Sequence, residues 1–252
     1  MKKHSIALLL LLVLLTGCGA KTEEAPWQTA YRETGKYLQE QDALSAGSVG
    51  GEWAVIGLSR AGLLSDETAQ SYEQTVEDYV KQAGSVRLHH AKSTENSRAI
   101  LGLTAAGYNA ANMAGVDLTA GLTDMAYLRA QGTNGPIWAL IALDCHGYDI
   151  PQCADGEEQT TCEGLVAEIL SYQCSDGGWA LMGDESDVDM TAMALTSLAP
   201  YQEETDIKAA VDAPLTYLSD AQQADGGFMS WGAANSESCA QVIVALTALG
   251  ID

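Results

Sequence analysis

Five short stretches of the chain carry acidic or amide side chains, three of them beside tryptophan or arginine. They are Glu52-Trp53, Glu95 with Arg98, Asn134 with Trp138, Asp187 with Asp189, and Glu237 with Gln241. Each stands just ahead of, or at the head of, an apolar run, where a helix would start. A carboxylate there accepts free N–H groups and opposes the helix dipole, the latter worth about 0.3–1 kcal/mol. Capping therefore explains each acid taken singly. It does not explain the aromatic and cationic company, which suits the mouth of a ligand cavity. Trp179 and Trp231, from two glycine-rich turns, complete the candidate ligand-cavity set. Asp187-Val188-Asp189 is the acid pair of the set, and Asp189 is the candidate catalytic group only if the protein is an enzyme.

Other chemistries lack their residues. Cys145-His146 follows Asp144, yet no second ligand pair stands at metal-site spacing, so no metal is expected. The other histidines are His4 and the pair His89-His90. Gly47-Ser48-Val49-Gly50-Gly51 is glycine-rich but follows no strand pattern and carries no lysine, so it reads as a hinge. No Ser-His-Asp set stands out. The formal net charge of −22 argues against nucleic acid and anionic headgroups as partners.

The elements that would position the candidate residues come from a repeat. Five segments end in leucine, three residues and a small one: Leu58 to Gly62, Leu103 to Gly107, Leu143 to Gly147, Leu195 to Ala199 and Leu246 to Gly250, spaced 40 to 52 residues apart. The residue before each leucine is small, and the one three earlier is Ala54, Ala99, Ala139, Thr191 or Val242. Such positions share a helix face. Large apolar pairs lie between them, so the helices are apolar nearly all round and expected to be buried. Their closing glycines suit a left-handed helix end. Amphipathic helices are expected outside these, over 27 to 41, 66 to 83, 119 to 131, 160 to 174 and 206 to 223. No stretch alternates with period two, which predicts essentially no sheet. The outer helix, turn and inner helix repeat as hairpins that must stack to bury their apolar faces.

Gln173-x-x-x-Gly177-x-Trp179 and Gln222-x-x-x-Gly226-x-Phe228 resemble the glutamine-tryptophan repeats of the squalene cyclase and protein prenyltransferase superfamily. Residues 51 to 252 are similar to bacterial surface proteins carrying prenyltransferase-like repeats, through Trp53 to Leu63, Glu95 to Gly107, Asn134 to Asp144, Asp187 to Tyr201 and Asn235 to Asp252. The resemblance implies an all-α fold, an α/α toroid of about five helical hairpins. Five is one short of a closed six-hairpin ring, which leaves an open crescent as the alternative. Asp187-x-Asp189 resembles the acid motif of squalene-hopene cyclases, whose middle aspartic acid protonates an alkene, although Met190 replaces its third acid. A prenyltransferase would require a zinc site and a basic diphosphate pocket, and this chain offers neither set of residues. Asp189-Met190-Thr191 is similar to an inner-helix start in cobalamin carriers such as transcobalamin. That likeness admits a corrinoid as ligand, with no cofactor otherwise and with a separate clamp-domain protein as partner.

The first residues address location. Lys2 and Lys3 precede an apolar run over Ile6 to Leu15, and Leu15-Thr16-Gly17-Cys18 closes it. About ten apolar residues are far fewer than the roughly 20 needed to span a bilayer. Residues 1–17 thus read as a signal peptide, and the ending resembles the lipobox of bacterial lipoproteins, which implies lipidation at Cys18 and two acyl chains as membrane anchor. Residues 18–26 read as the lipidated N-terminus and tether, and 27–252 as the toroid domain. Five cysteines then remain, and an odd number in an exported chain leaves at least one thiol unpaired within it. Cys153 and Cys162 bracket an acidic loop that a disulfide could staple. The expectation is a lipid-anchored extracytoplasmic protein that binds a small hydrophobic or corrinoid-like ligand, or a surface protein, without transforming it. A cyclase-like enzyme and an adhesion scaffold are the alternatives.

Overall fold

A computed structural model describes residues 25–41, 44–48, 50–230 and 232–251. Cys18, the signal and tether residues before 25, and Trp231 lie outside the described residues. The chain divides into two compact units, Met1–Glu40 and Gln41–Asp252. In the first, helix α1 spans Pro26–Gln39, with proline in its first turn, and exposes Trp27, Tyr31 and Tyr37.

Among its described residues, the second unit is helical apart from one two-stranded hairpin, with turns and loops between. Its helices are α2 (Gly51–Arg60), α3 (Asp66–Ala83), α4 (Thr94–Ala105), α5 (Met125–Arg129), α6 (Asn134–Asp144), α7 (Cys162–Ser171), α8 (Val188–Leu198), α9 (Thr205–Ala221) and α10 (Ser236–Leu249). Helix α3 shows how local sequence sets its limits. The Ser65 hydroxyl accepts the Thr68 amide at 3.1 Å, Asp66 and Glu67 occupy the first turn, Lys81 the last, and Gly84 closes at φ 60°. No helix among the described residues is long and apolar enough to cross a membrane.

Helices α2, α4, α6, α8 and α10 pack in that succession, each on the next. Against them lie α3 on α4, α7 on α6 and α9 on α8. The residues one and four places before each repeated leucine make the close approach, since all of them except Gly57 are buried. Gly102 is the tightest case: a Cβ there would stand 2.2 Å from the Tyr72 hydroxyl of α3.

The repeated leucine and glycine are the two ends of one capping device. Leu63, Tyr108, Tyr148 and Ile251 each donate an amide to the leucine five residues back, all at 2.9 Å. The intervening Gly62, Gly107, Gly147 and Gly250 have φ between 63° and 87°. This is the Schellman motif, and it satisfies carbonyls that the helix end would leave unpaired. The fourth repeat ends in Ala199 and continues instead as a 3-10 turn, Ala199–Tyr201.

One expectation is corrected. The amphipathic helix over 119 to 131 is broken into a 3-10 turn, Leu118–Leu122, and the short α5. Asp117 and Asp124 each take a nearby amide, of Thr119 at 2.9 Å and Ala126 at 3.1 Å, and this local bonding competes with a continuous helix. Strands Met229–Ser230 and Ala233–Ala234 form a small antiparallel hairpin, too short to carry an alternating pattern.

Candidate functional site

Two cavities meet at one pair of tryptophans. Trp53 of α2 and Trp138 of α6 have ring centroids 5.2 Å apart, tilted by 56°, and both rings wall both cavities. The first, of about 520 Å³, lies toward the helix starts and is polar: Lys92, Thr94, Glu95 and Arg98 face it from α4 and the preceding turn, Gln131 and Asn134 from the start of α6, and Gly47 from the hinge. The second, of about 560 Å³, is mainly apolar and draws residues from all five inner helices. Ile56, Leu101, Ile141, Met193 with Thr196, and Val244 with Ala240 line it, and Glu237 and Gln241 stand at its α10 side.

Helical spacing explains this lining. In each apolar pair of the first three inner helices, one residue packs inward and its neighbour lines the cavity. Val55, Ile100 and Leu140 are fully buried, whereas Ile56, Leu101 and Ile141 line the cavity. The inner helices are therefore apolar all round because one face meets neighbouring helices and another meets a cavity, which corrects the expectation of simple burial.

At the polar end the acids have distinct surroundings. Glu52 is 1% exposed; its Oε1 accepts the Gly47 amide at 2.6 Å, and its Oε2 is buried without a partner. Burial raises its pKa, against the lowering effect of that amide and of Arg98. Arg98 Nη2 donates to Glu95 Oε2 at 2.7 Å, with both side chains mostly buried, and the Tyr79 hydroxyl donates to the same oxygen at 3.3 Å. Gln131 holds the turn before α4 by accepting the Ser93 hydroxyl at 3.0 Å and the Thr94 amide at 2.9 Å. Asn134 Oδ1 is buried and unpartnered.

The remaining candidates separate from this group. Asp187 caps α8, accepting the Met190 amide at 2.8 Å, and burial raises its pKa. Asp189 lines neither of the two cavities, and its Oδ1 is buried without a partner. Trp179 is fully buried, its indole N–H donating to the Ile169 carbonyl at 2.8 Å and its amide to the Thr191 hydroxyl at 3.0 Å. Its placement corrects the expectation of a cavity-facing ring: Trp179 pins the turn to α7 and α8. Glu237 is exposed beside the apolar cavity. Thus the capping explanation holds for Asp187, whereas Glu52 and Glu95 spend their bonds elsewhere.

The glutamine-glycine turns also acquire a mechanical role. Gln173 Nε2 donates to the Gly177 carbonyl at 2.7 Å and to Ala210 of α9 at 3.0 Å, and Gln222 Nε2 donates to Gly226 at 3.0 Å. All five cysteines in the described residues are free thiols, Cys153 and Cys162 included. No cluster of three or more metal-ligating side chains occurs among the described residues.

No family model, curated protein or solved structure matches the chain. Ile56, Leu101, Ile141, Met193 and Val244 are not among the candidates read from the sequence, but they follow from those candidates. Each lies three, four or seven positions beyond Trp53, Arg98, Trp138, Asp189 or Glu237, and hence on the same helix face.

Proposed function

We propose that this chain is a lipid-anchored extracytoplasmic binding protein, whose second unit is an α/α toroid of about five hairpins holding a small, largely apolar ligand at its centre. One observation carries the reading. Five helices turn the same register stripe toward one cavity of about 560 Å³, well within the size of small-molecule sites. A core that existed only for stability would fill that space with side chains. The site also has the two parts an oriented ligand needs, an apolar chamber and a polar end joined at Trp53 and Trp138. Asp189 stands outside both cavities, which favours binding over a cyclase-like proton transfer. Lipidation at Cys18 would hold the site outside the membrane surface, where small molecules or a clamp-domain protein have access.

Native mass spectrometry of the chain from Gly19 onward, incubated with corrinoids and with short polyprenyl compounds, tests this reading. A stoichiometric adduct that Trp138→Ala weakens supports it. A folded protein that binds no member of either class, and carries no adduct from its host, overturns it in favour of a scaffold role.

A further inference from the structure

Helix α1 keeps its aromatic residues in solvent: Trp27, Tyr31 and Tyr37 are 67%, 53% and 62% exposed. Trp27, Tyr31, Thr34 and Leu38 follow one another at intervals of four, three and four residues and so share one face, which Tyr37 flanks. Arg32 and Lys36 lie on the opposite face, within 3.7 and 3.2 Å of Glu33. Two cations against one acid give α1 a net charge of +1, and it alone among the described helices of eight or more residues is net positive, in a chain of net charge −22.

This combination suits the boundary of a lipid bilayer. A helix that lies on a membrane has low overall hydrophobicity, aromatic side chains on one face and cations on the other. Tryptophan and tyrosine have an apolar body and a polar tip, which seats them at headgroup depth. A dry protein groove would instead be filled by long aliphatic side chains, of which α1 has Leu38 alone. Proximity favours the same occupant. Seven residues, Gly19 to Ala25, separate Cys18 from Pro26, so even a fully extended link holds the start of α1 within about 30 Å of a lipid on Cys18. At that range the bilayer acts on α1 at high effective concentration, and a weak contact suffices.

We infer that α1 lies along the membrane surface, with Trp27, Tyr31 and Leu38 at the boundary between headgroups and acyl chains, and with Arg32 and Lys36 on the side of water and headgroup phosphates. The inference rests on the lipid anchor proposed above and adds a second, non-covalent contact to it. The chain then leaves the surface at Gln39 rather than at Cys18, so residues 19–25 do not act as a free tether.

Tryptophan fluorescence of the full chain, produced in a bacterial host and reconstituted into vesicles of phosphatidylcholine brominated on its acyl chains, tests this. Bromine quenches only the indoles that reach it. Trp27 is one of five tryptophans, so the brominated vesicles should quench about one-fifth of the emission seen in unbrominated ones. Trp27→Phe, which keeps an apolar ring, should remove that quenching. Tyr31→Glu, which charges the seated face, should cut it several-fold, whereas Thr29→Glu, the same charge on the opposite side, should leave it unchanged. If the chain stays with the vesicles through an alkaline carbonate wash but Trp27→Phe leaves the quenching as it was, the helix contact is refuted while the lipid anchor stands. If the chain washes off the vesicles, both fall.

Discussion

Replacing Tyr72 by phenylalanine is expected to make the protein more stable, and replacing Gly102 by alanine to make it less so, with the two effects coupled. Tyr72 lies on α3 and is fully buried, and its hydroxyl has no hydrogen-bond partner. Burial without compensation raises its pKa beyond the usual tyrosine range. An unmet buried hydroxyl costs about 1–3 kcal/mol, and removing it leaves only a small void, so Tyr72→Phe should gain about 1 kcal/mol. The opposite change fills space that is not there. A Cβ at position 102 would stand 2.2 Å from the Tyr72 oxygen, 2.8 Å from Cζ and 3.1 Å from Cε1. The ring cannot swing away from a close-packed site, so overpacking costs about 1–3 kcal/mol, offset by up to about 1 kcal/mol of helix propensity gained at a glycine. Combining both changes removes the nearest atom and leaves the two carbons tight, which should recover about half of the loss. Thermal denaturation followed by circular dichroism measures all four proteins of the cycle, and about 1 kcal/mol corresponds to about 2–4 °C in melting temperature for a domain of this size. Destabilisation of more than about 1 kcal/mol by Tyr72→Phe would refute the reasoning, because it would mean that the hydroxyl is satisfied in solution. Strict additivity would show that the α3–α4 contact is not made there.

Two further outcomes follow from the same structure. Gly107→Ala should cost about 1 kcal/mol through its φ of 87° alone, since no atom lies within 4 Å of the new Cβ, whereas Gly57→Ala, in a helix interior and equally uncrowded, should gain about 0.5–1 kcal/mol; thermal melts of the pair check the contrast. Because burial raises the Glu52 pKa, the folded state holds its proton longer than the unfolded chain does. This contribution is fully present below the unfolded value, about 4.3, and is lost as pH rises through the folded one, so Glu52→Gln should flatten the fall in urea midpoint over that interval.

Much of the scaffold was legible because its signals are local. The leucine and glycine of four of the five repeats lie within one turn and cap the same helix, and α3 agrees with the expected 66 to 83 because a serine cap and a left-handed glycine mark its ends. The helix expected over 119 to 131 failed for the opposite reason. Two aspartates bond their own turns, and Asp124 is further engaged by Arg87 at 3.1 Å, a residue 37 positions away that no local pattern reveals. The site divides in the same manner. Glu52, Trp53, Glu95, Arg98, Asn134 and Trp138 were expected near one another from their place at helix starts, and all but Glu52 line the polar cavity, with the Glu52 carboxyl bound to its wall. Trp179 was misplaced because the path of its turn is set by tertiary bonds to Thr191 and Ile169.

The division of labour along each inner helix accounts for why a cavity and a dense core coexist. Small residues such as Ala99, Gly102, Ala139 and Ala142 sit where helices approach one another, and they leave the bulky side chains two other directions. One bulky member of each pair is fully buried, as Ile100 and Leu140 are, and stabilises the core. The other, with helices drawn close by small residues, points to the common space. Enlarging a small residue would thus push helices apart before it filled the cavity, whereas enlarging a lining residue such as Met193 would fill the cavity and leave the helix contacts in place. Stability and ligand capacity are therefore separable by position. Ala139→Leu should unfold the protein at lower urea without a selective effect on ligand size, while Met193→Trp should exclude larger apolar ligands from a protein that melts as before.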